Sequence, residues 1–256
     1  MDLGLRGRKA IVTGGSKGIG KAITELLVAE GADVAICARG KEAVDETVAS
    51  LQDKGSNVFG EAVDITDPEA FPAFIASAAD RLGGLDTLIL NASVQPQGDD
   101  DATWQLTFES DILSTVRAMR VAQPLLAASD MGGSVVAISS ITALQQASGP
   151  GQMAYGTLKA AVLTLNGKMA NSLAADGVRM NTVIPGCITF PGGVWERMAE
   201  MMPPVVEGVA KSTMLGRLGA AEEIANSVVF LASPRASYTT GASLRIDGGI
   251  VKGVDF

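Results

Sequence analysis

Tyr155 and Lys159 stand four residues apart, a spacing that sets both on one face of a helix, with the ammonium beside the phenol. A phenol with an ordinary pKa of about 10 is a poor base at neutral pH, and a nearby cation favours its phenolate. Such a pair can give a proton to a carbonyl oxygen or take one from an alcohol. Ser140, just past the apolar run 134–138, can donate or accept a hydrogen bond at that same oxygen. The chain contains no histidine, which removes Ser-His-Asp hydrolysis, His-ligated zinc and imidazole general-base chemistry together. Acid–base work at neutral pH therefore falls to Tyr, Lys, Asp, Glu or Cys. Tyr-x-x-x-Lys is a short pattern that also arises on ordinary amphipathic helices, so its meaning depends on the rest of the chain.

Near the start, the β-branched run 9–12 leads into Thr13-Gly14-Gly15-Ser16-Lys17-Gly18-Ile19-Gly20, and a helical pattern begins at Lys21. A strand, a glycine-dense turn and a helix can cradle a pyrophosphate. Glycine allows the unusual φ/ψ angles and the close backbone approach, and the helix start offers free N–H groups and a positive dipole end. A tight connection and nothing more is the plainer alternative.

A second strand, 33–37, ends at Ala38-Arg39-Gly40, with no carboxylate before Glu42. In a dinucleotide-binding unit, an acidic residue at this point accepts from the 2′-OH of NAD, whereas arginine accommodates the 2′-phosphate of NADP. Arg39, joined by Lys17 within the loop, favours NADP(H) over NAD(H); the alternative is that both are solvated surface charges.

The pattern Thr-Gly-x-x-x-Gly-x-Gly, followed far downstream by a strand-end serine and Tyr-x-x-x-Lys, resembles the classical short-chain dehydrogenase/reductase (SDR) family. The resemblance covers nearly the whole chain. It implies an oxidoreductase acting on CH–OH groups, with Ser140, Tyr155 and Lys159 as catalytic residues and Lys159 also holding the nicotinamide ribose. Alignment on the family's strand end favours Ser140 over Ser139. The resemblance also gives cofactor contacts to Gly14, Ser16, Lys17, Gly18, Ile19 and Gly20 in the loop, and to Arg39.

Asp64 and Ile65, at the mouth of the third strand, fall where the family receives the adenine, although Asp64 also fits the entrance of the next helix. Asn91 matches the retained asparagine of the family's Asn-Asn-Ala-Gly segment, with Leu90 and Ser93 as departures; its amide can tie strand ends or touch the cofactor. Asp111 stands nearest the family asparagine that holds a water in the proton relay, a further departure; the resemblance makes it a candidate catalytic residue that accepts from that water and supports the lysine or retunes the relay, and an ordinary surface carboxylate is the alternative. Pro185, Gly186 and Ile188 resemble the segment that closes over the nicotinamide. The family's threonine position there falls nearer Phe190 than Thr189.

These residues need a scaffold. Strands are expected near 9–12, 33–37, 57–63, 86–90, 134–138, 178–184 and 243–246, alternating with helices that include 21–30, 42–53, a long segment 102–128 and 222–231. That alternation predicts a single-domain α/β fold, a Rossmann-type doubly wound seven-stranded parallel sheet with helices on both faces. Residues 95–101 read as a solvated loop. The segment 187–215, with Trp195, Met198, Met201, Met202 and Met214, reads either as core or as an adaptable apolar lid over a small carbonyl or alcohol substrate of apolar character.

In its 256 residues the chain carries 47% hydrophobic and 19% charged residues, the balance of a packed globule. Its formal charge of −8 argues against nucleic acid or an anionic membrane as partner. No run is long enough to span a bilayer and no signal-peptide core is present, so a cytoplasmic location is expected. Cys37 and Cys187 read as buried small apolar residues, and no metal site is indicated.

The resemblance further suggests a homotetramer. A 3-oxoacyl-carrier-protein reductase is the alternative activity, its acidic partner docking on Arg117, Arg120 and Lys168. The alternative of another class is a non-catalytic, cofactor-binding regulatory protein.

Overall fold

The computed structural model describes residues 2–96, 98–146 and 151–253. Seven strands form one sheet: β1 (Lys9–Thr13), β2 (Asp33–Ala38), β3 (Val58–Ala62), β4 (Thr87–Leu90), β5 (Ser134–Ile138), β6 (Arg179–Pro185) and, beyond the short strands described below, β9 (Ser243–Ile246). Their order is β3-β2-β1-β4-β5-β6-β9, and every pairing is parallel.

The helices are α1 (Gly18–Ala29), α2 (Lys41–Leu51), α3 (Ala70–Leu82), α4 (Asp101–Phe108), α5 (Ser114–Ala127), α6 (Met153–Leu173), α7 (Val194–Met201), α8 (Pro203–Ser212) and α9 (Ala221–Ala232). A minor two-stranded pair, β7 (Ile188–Thr189) with β8 (Gly219–Ala220), was not foreseen in the sequence.

The side-chain period of two along each strand divides the core into two layers. Val12, Val34 and Ile36 face Ile23 and Leu27 of α1 and Ile224 and Val228 of α9. Ile11, Ala35 and Leu88 face Phe71 and Phe74 of α3 and Ala118 and Met119 of α5. With both faces covered, the strands read as continuous apolar runs rather than alternating ones.

Strand order reverses between β1 and β4, where the connections leave in opposite directions and open a crevice at the carboxyl edge. Asp67 opens the approach to α3, its carboxylate accepting from the Glu69 and Ala70 amides at 2.9 and 2.8 Å. Those amides hold its pKa below the usual carboxylate range.

The expected segment 102–128 is helical throughout but not uniformly wound: a π turn, Glu109–Leu113, separates α4 from α5. Cys37 is fully buried, and burial pushes its thiol up to about 12; Cys187, read as buried, is half-exposed at the rim of the sheet. Among the described residues, no helix is long and apolar enough to cross a membrane.

Candidate active site

The glycine loop leaves β1 at the crevice. Gly14 and Gly18 have φ of +67° and +52°, a region that favours glycine. A methyl group on Gly20 would stand 2.1 Å from the Gly14 carbonyl oxygen, so the turn closes only without one. Lys17 precedes α1 without a side-chain cap, leaving the first-turn amides to an outside acceptor. Uncapped donors and a cradle that a Cβ would fill fit a dinucleotide phosphate. Ser16 is buried and Ile19 half-buried in this turn, while Lys17 and Arg39 are exposed.

Asn91 fastens the two strands that diverge here. Its side-chain amide donates to the Thr13 carbonyl at 2.9 Å and to the Gly14 carbonyl at 3.3 Å. The Asn91 and Ala92 amides both donate to the Thr13 hydroxyl, at 2.9 and 3.0 Å. Of the two roles open to Asn91, tying strand ends is the one these bonds perform.

Asp64 uses one carboxylate oxygen to accept from the Thr66 amide and hydroxyl, at 2.9 and 2.8 Å, while the group stays exposed; Ile65 beside it is buried. Pro185 ends β6, and Gly186 passes so close to Asp247 that a Cβ would lie 2.6 Å from its Cα. Ile188 is buried in β7. Burial, then the negative charge of Asp247, push the neighbouring Cys187 thiol up to about 11.

At the ends of β5 and α6 the acid–base residues converge. Ser139 is spent on structure: its buried hydroxyl donates to the Lys159 carbonyl at 2.8 Å. Ser140, half-buried, uses its oxygen to accept from the Thr142 amide at 3.2 Å, and among the described residues its own hydrogen has no acceptor.

Tyr155 is half-buried, its ring centroid 5.6 Å from the Lys159 ammonium. Lys159 is 3% exposed; its ammonium donates to the Ile138 carbonyl at 3.2 Å and pairs with Asp111 Oδ2 at 3.2 Å. Burial works against that charge, but the Asp111 carboxylate and, when ionised, the Tyr155 oxygen outweigh it and hold the Lys159 pKa above its ordinary value. Asp111 is thus no surface carboxylate: it is 4% exposed and points inward from the π turn.

The loop after β4 is not simply solvated. Asp100 caps α4 by accepting from the Thr103 amide at 2.8 Å. Asp99 reaches across to accept from the Met153 and Ala154 amides at the start of α6, at 3.1 and 3.4 Å. This clamp sets Gln95 over the tyrosine, where its amide donates to the Tyr155 hydroxyl at 3.2 Å. Polar, glycine-poor loop sequence carried no sign of either contact, since both partners lie more than fifty residues away.

Phe190 is the other residue that sequence reasoning left without a role. Its ring lies against Gly18, such that a Cβ there would be 2.7 Å from Cζ, and against Gly193 on the other side. The segment that follows exposes Met201, Met202, Met214 and Leu215, and neither α7 nor α8 buries a residue, which rules out the core reading for 194–212. Arg117, offered as part of a basic docking patch, is committed internally to Glu109 at 3.0 Å and the Thr66 carbonyl at 3.1 Å.

The profile of a family described as Enoyl-(Acyl carrier protein) reductase matches residues 14–251. The isoepoxydon dehydrogenase patN of Aspergillus clavatus is 35% identical over 98% of this chain and 98% of its own. Dehydrogenase/reductase SDR family member 4 of Oryctolagus cuniculus is 33% identical over 96% of this chain and 94% of its own. Among solved structures, L-sorbose reductase from Gluconobacter frateurii, complexed with NADPH and L-sorbose, superposes with a TM-score of 0.93 at 32% identity, covering 99% of this chain and 100% of that one. With a parallel doubly wound sheet, a glycine cradle at its switch point and a serine, tyrosine and lysine gathered beside it, the chain belongs to the short-chain dehydrogenase/reductase family and is an NAD(P)-dependent oxidoreductase acting on CH–OH groups.

Proposed function

We propose that the protein interconverts a small ketone and its secondary alcohol with NADP(H), using Tyr155 as the general acid and base. The observation that carries this reading is the approach of the half-buried Tyr155 ring to the Lys159 ammonium, with the hydroxyl meeting a side-chain amide rather than the protein core. The bound nucleotide supplies or receives the hydride. Tyr155 gives its phenolic proton to the carbonyl oxygen during reduction and takes the hydroxyl proton during oxidation. Ser140 donates a hydrogen bond to the same oxygen, where negative charge develops. Lys159 keeps its positive charge beside the phenol and reaches the ribose.

The first-turn amides of α1, with Gly14, Ser16, Gly18, Ile19 and Gly20, hold the pyrophosphate. Pro185, Gly186 and Ile188 border the nicotinamide, and Asp64 and Ile65 the adenine. Preference for NADP(H) rests on Arg39 and Lys17, two exposed cations at the end of β2 and in the loop, which suit a 2′-phosphate. The exposed methionines of 194–215 close over the substrate as an adaptable lid. L-sorbose reductase, complexed with NADPH and L-sorbose, supports a small carbonyl substrate. Leu106, Phe108 and Met153 are exposed on α4 and α6 and suit burial in a homotetramer, for which a tetramer mass by light scattering is the expected result and a monomer mass the contrary one.

Initial rates with NADPH and with NADH over a panel of small ketones and acyl thioesters test the reading. Turnover of free ketones with a higher kcat/KM for NADPH is expected. Turnover confined to acyl-carrier thioesters, a preference for NADH, or no turnover at all would overturn it.

A further inference from the structure

The Asp111–Lys159 contact is a buried ion pair. Oδ2 lies 3.2 Å from Nζ, and the two side chains are 0% and 4% exposed. The π turn carries Asp111 inward, where its Oδ1 accepts from the Ser110 hydroxyl at 3.0 Å. Oδ2 has no hydrogen bond among the described residues, so the lysine ammonium is the charge that answers it. A small cavity of about 20 Å³ lies alongside, lined by Thr13, Ser114, Thr115 and apolar residues from β4, β5 and α6. Asp111 and Lys159 are its two charged liners.

Other charged groups on the surrounding elements are already engaged. Glu109 of the π turn pairs with Arg117 of α5 at 3.0 Å. Asp99 from the loop after β4 is bonded to the amides that open α6. Asp64, past β3, is exposed and turned to Thr66. The ends of β1 and β5 bring the uncharged Thr13, Ser139 and Ser140. The immediate electrostatic environment of the Tyr155 ring is therefore a lysine whose charge is offset by a carboxylate in direct contact.

We infer that Asp111 is a positioning residue which neutralises the field of Lys159, so that Tyr155 keeps its proton to higher pH than a lysine alone would allow. The inference rests on the proposed role of Tyr155. Its consequence is a site set to donate a proton to a carbonyl at neutral pH, with alcohol oxidation, which needs the phenolate, displaced to more alkaline conditions. The overall equilibrium is untouched; the pH window in which each direction runs is what moves.

The chain contains two tyrosines, which makes the test direct. Tyr238 is fully exposed and serves as an internal standard, and Tyr155→Phe identifies the other ionisation step. Phenolate absorbance is titrated in the full-length, cofactor-free protein, for wild type and for Asp111→Asn, which keeps shape and removes charge. The Tyr155 step moves to lower pH by about one unit or more in Asp111→Asn, the Tyr238 step stays put, and the rising limb of alcohol oxidation shifts the same way. Asp111→Ser, smaller and uncharged, repeats the measurement with the same expected shift. A folded variant, shown by a cooperative melt, whose Tyr155 step stays at the wild-type pH or rises would overturn the inference. The titration needs no turnover, so an inactive enzyme would count against the proposed function and leave this charge coupling to be judged on absorbance alone.

Discussion

The Gln95 side-chain amide donates to the Tyr155 hydroxyl at 3.2 Å, from a loop that Asp99 pins to the first turn of α6. An exposed amide thus sits at the oxygen to which the proposed mechanism gives the proton transfer. On that mechanism a substrate oxygen hydrogen-bonded to the phenol would also meet the same amide.

Replacing Gln95 with alanine should lower kcat/KM for the carbonyl about tenfold, or about 1.4 kcal/mol of transition-state binding. Cofactor affinity, measured by fluorescence titration, should stay within twofold of wild type. An unchanged kcat/KM would detach Gln95 from the reacting oxygen.

The Phe190 ring packed on Gly18 links the 187–215 segment to the glycine loop. Gly18→Ala costs about 1–2 kcal/mol through its positive φ alone, and the methyl group also meets the ring at 2.7 Å. Phe190→Ala should relieve the second part only. A double-mutant cycle by chemical denaturation is expected to show a coupling of about 1 kcal/mol; strictly additive losses would show that ring and loop do not touch.

How much of this was readable beforehand follows from the range of the interactions. The glycine loop, the Tyr155–Lys159 spacing and the seven apolar runs are local patterns, and each lies in the expected element. The parallel order followed from strands alternating with helices. Partners far apart in the chain were not legible: Asp99 with α6, Gln95 with Tyr155, Phe190 with Gly18. Each is a polar or aromatic side chain whose target is chosen by tertiary placement alone. Asp111 is a relay candidate through the resemblance, but the π turn that aims it inward was hidden for a different reason. One extra residue in a helical turn leaves no compositional mark, yet it rotates a carboxylate from solvent to the lysine.

Acid should loosen the junction that joins Arg217 to the first turn of α9. Two guanidinium bonds from Arg217, at 2.7 and 2.6 Å, and then the Ala220 amide hold the Glu223 carboxyl down to about 2 from an ordinary 4.5. A depressed carboxylate contributes stability above its unfolded pKa and loses it as pH falls through the folded one. Wild type should therefore melt higher than Glu223→Gln at neutral pH, and the gap should close as pH falls from about 4.5 towards 2. Because both side chains are about half-exposed, salt should shrink the gap as well. A gap that persists to the acid end would place the effect elsewhere.

Tyr155 is the proposed proton donor, and Tyr155→Phe is the variant that isolates it, since it deletes one oxygen and leaves the ring. Its kcat for ketone reduction with NADPH should fall at least about a thousandfold, within the reach of general acid catalysis, while the NADPH dissociation constant stays within a few-fold of wild type. Reduction at the wild-type rate by a variant that still binds the nucleotide would contradict the mechanism.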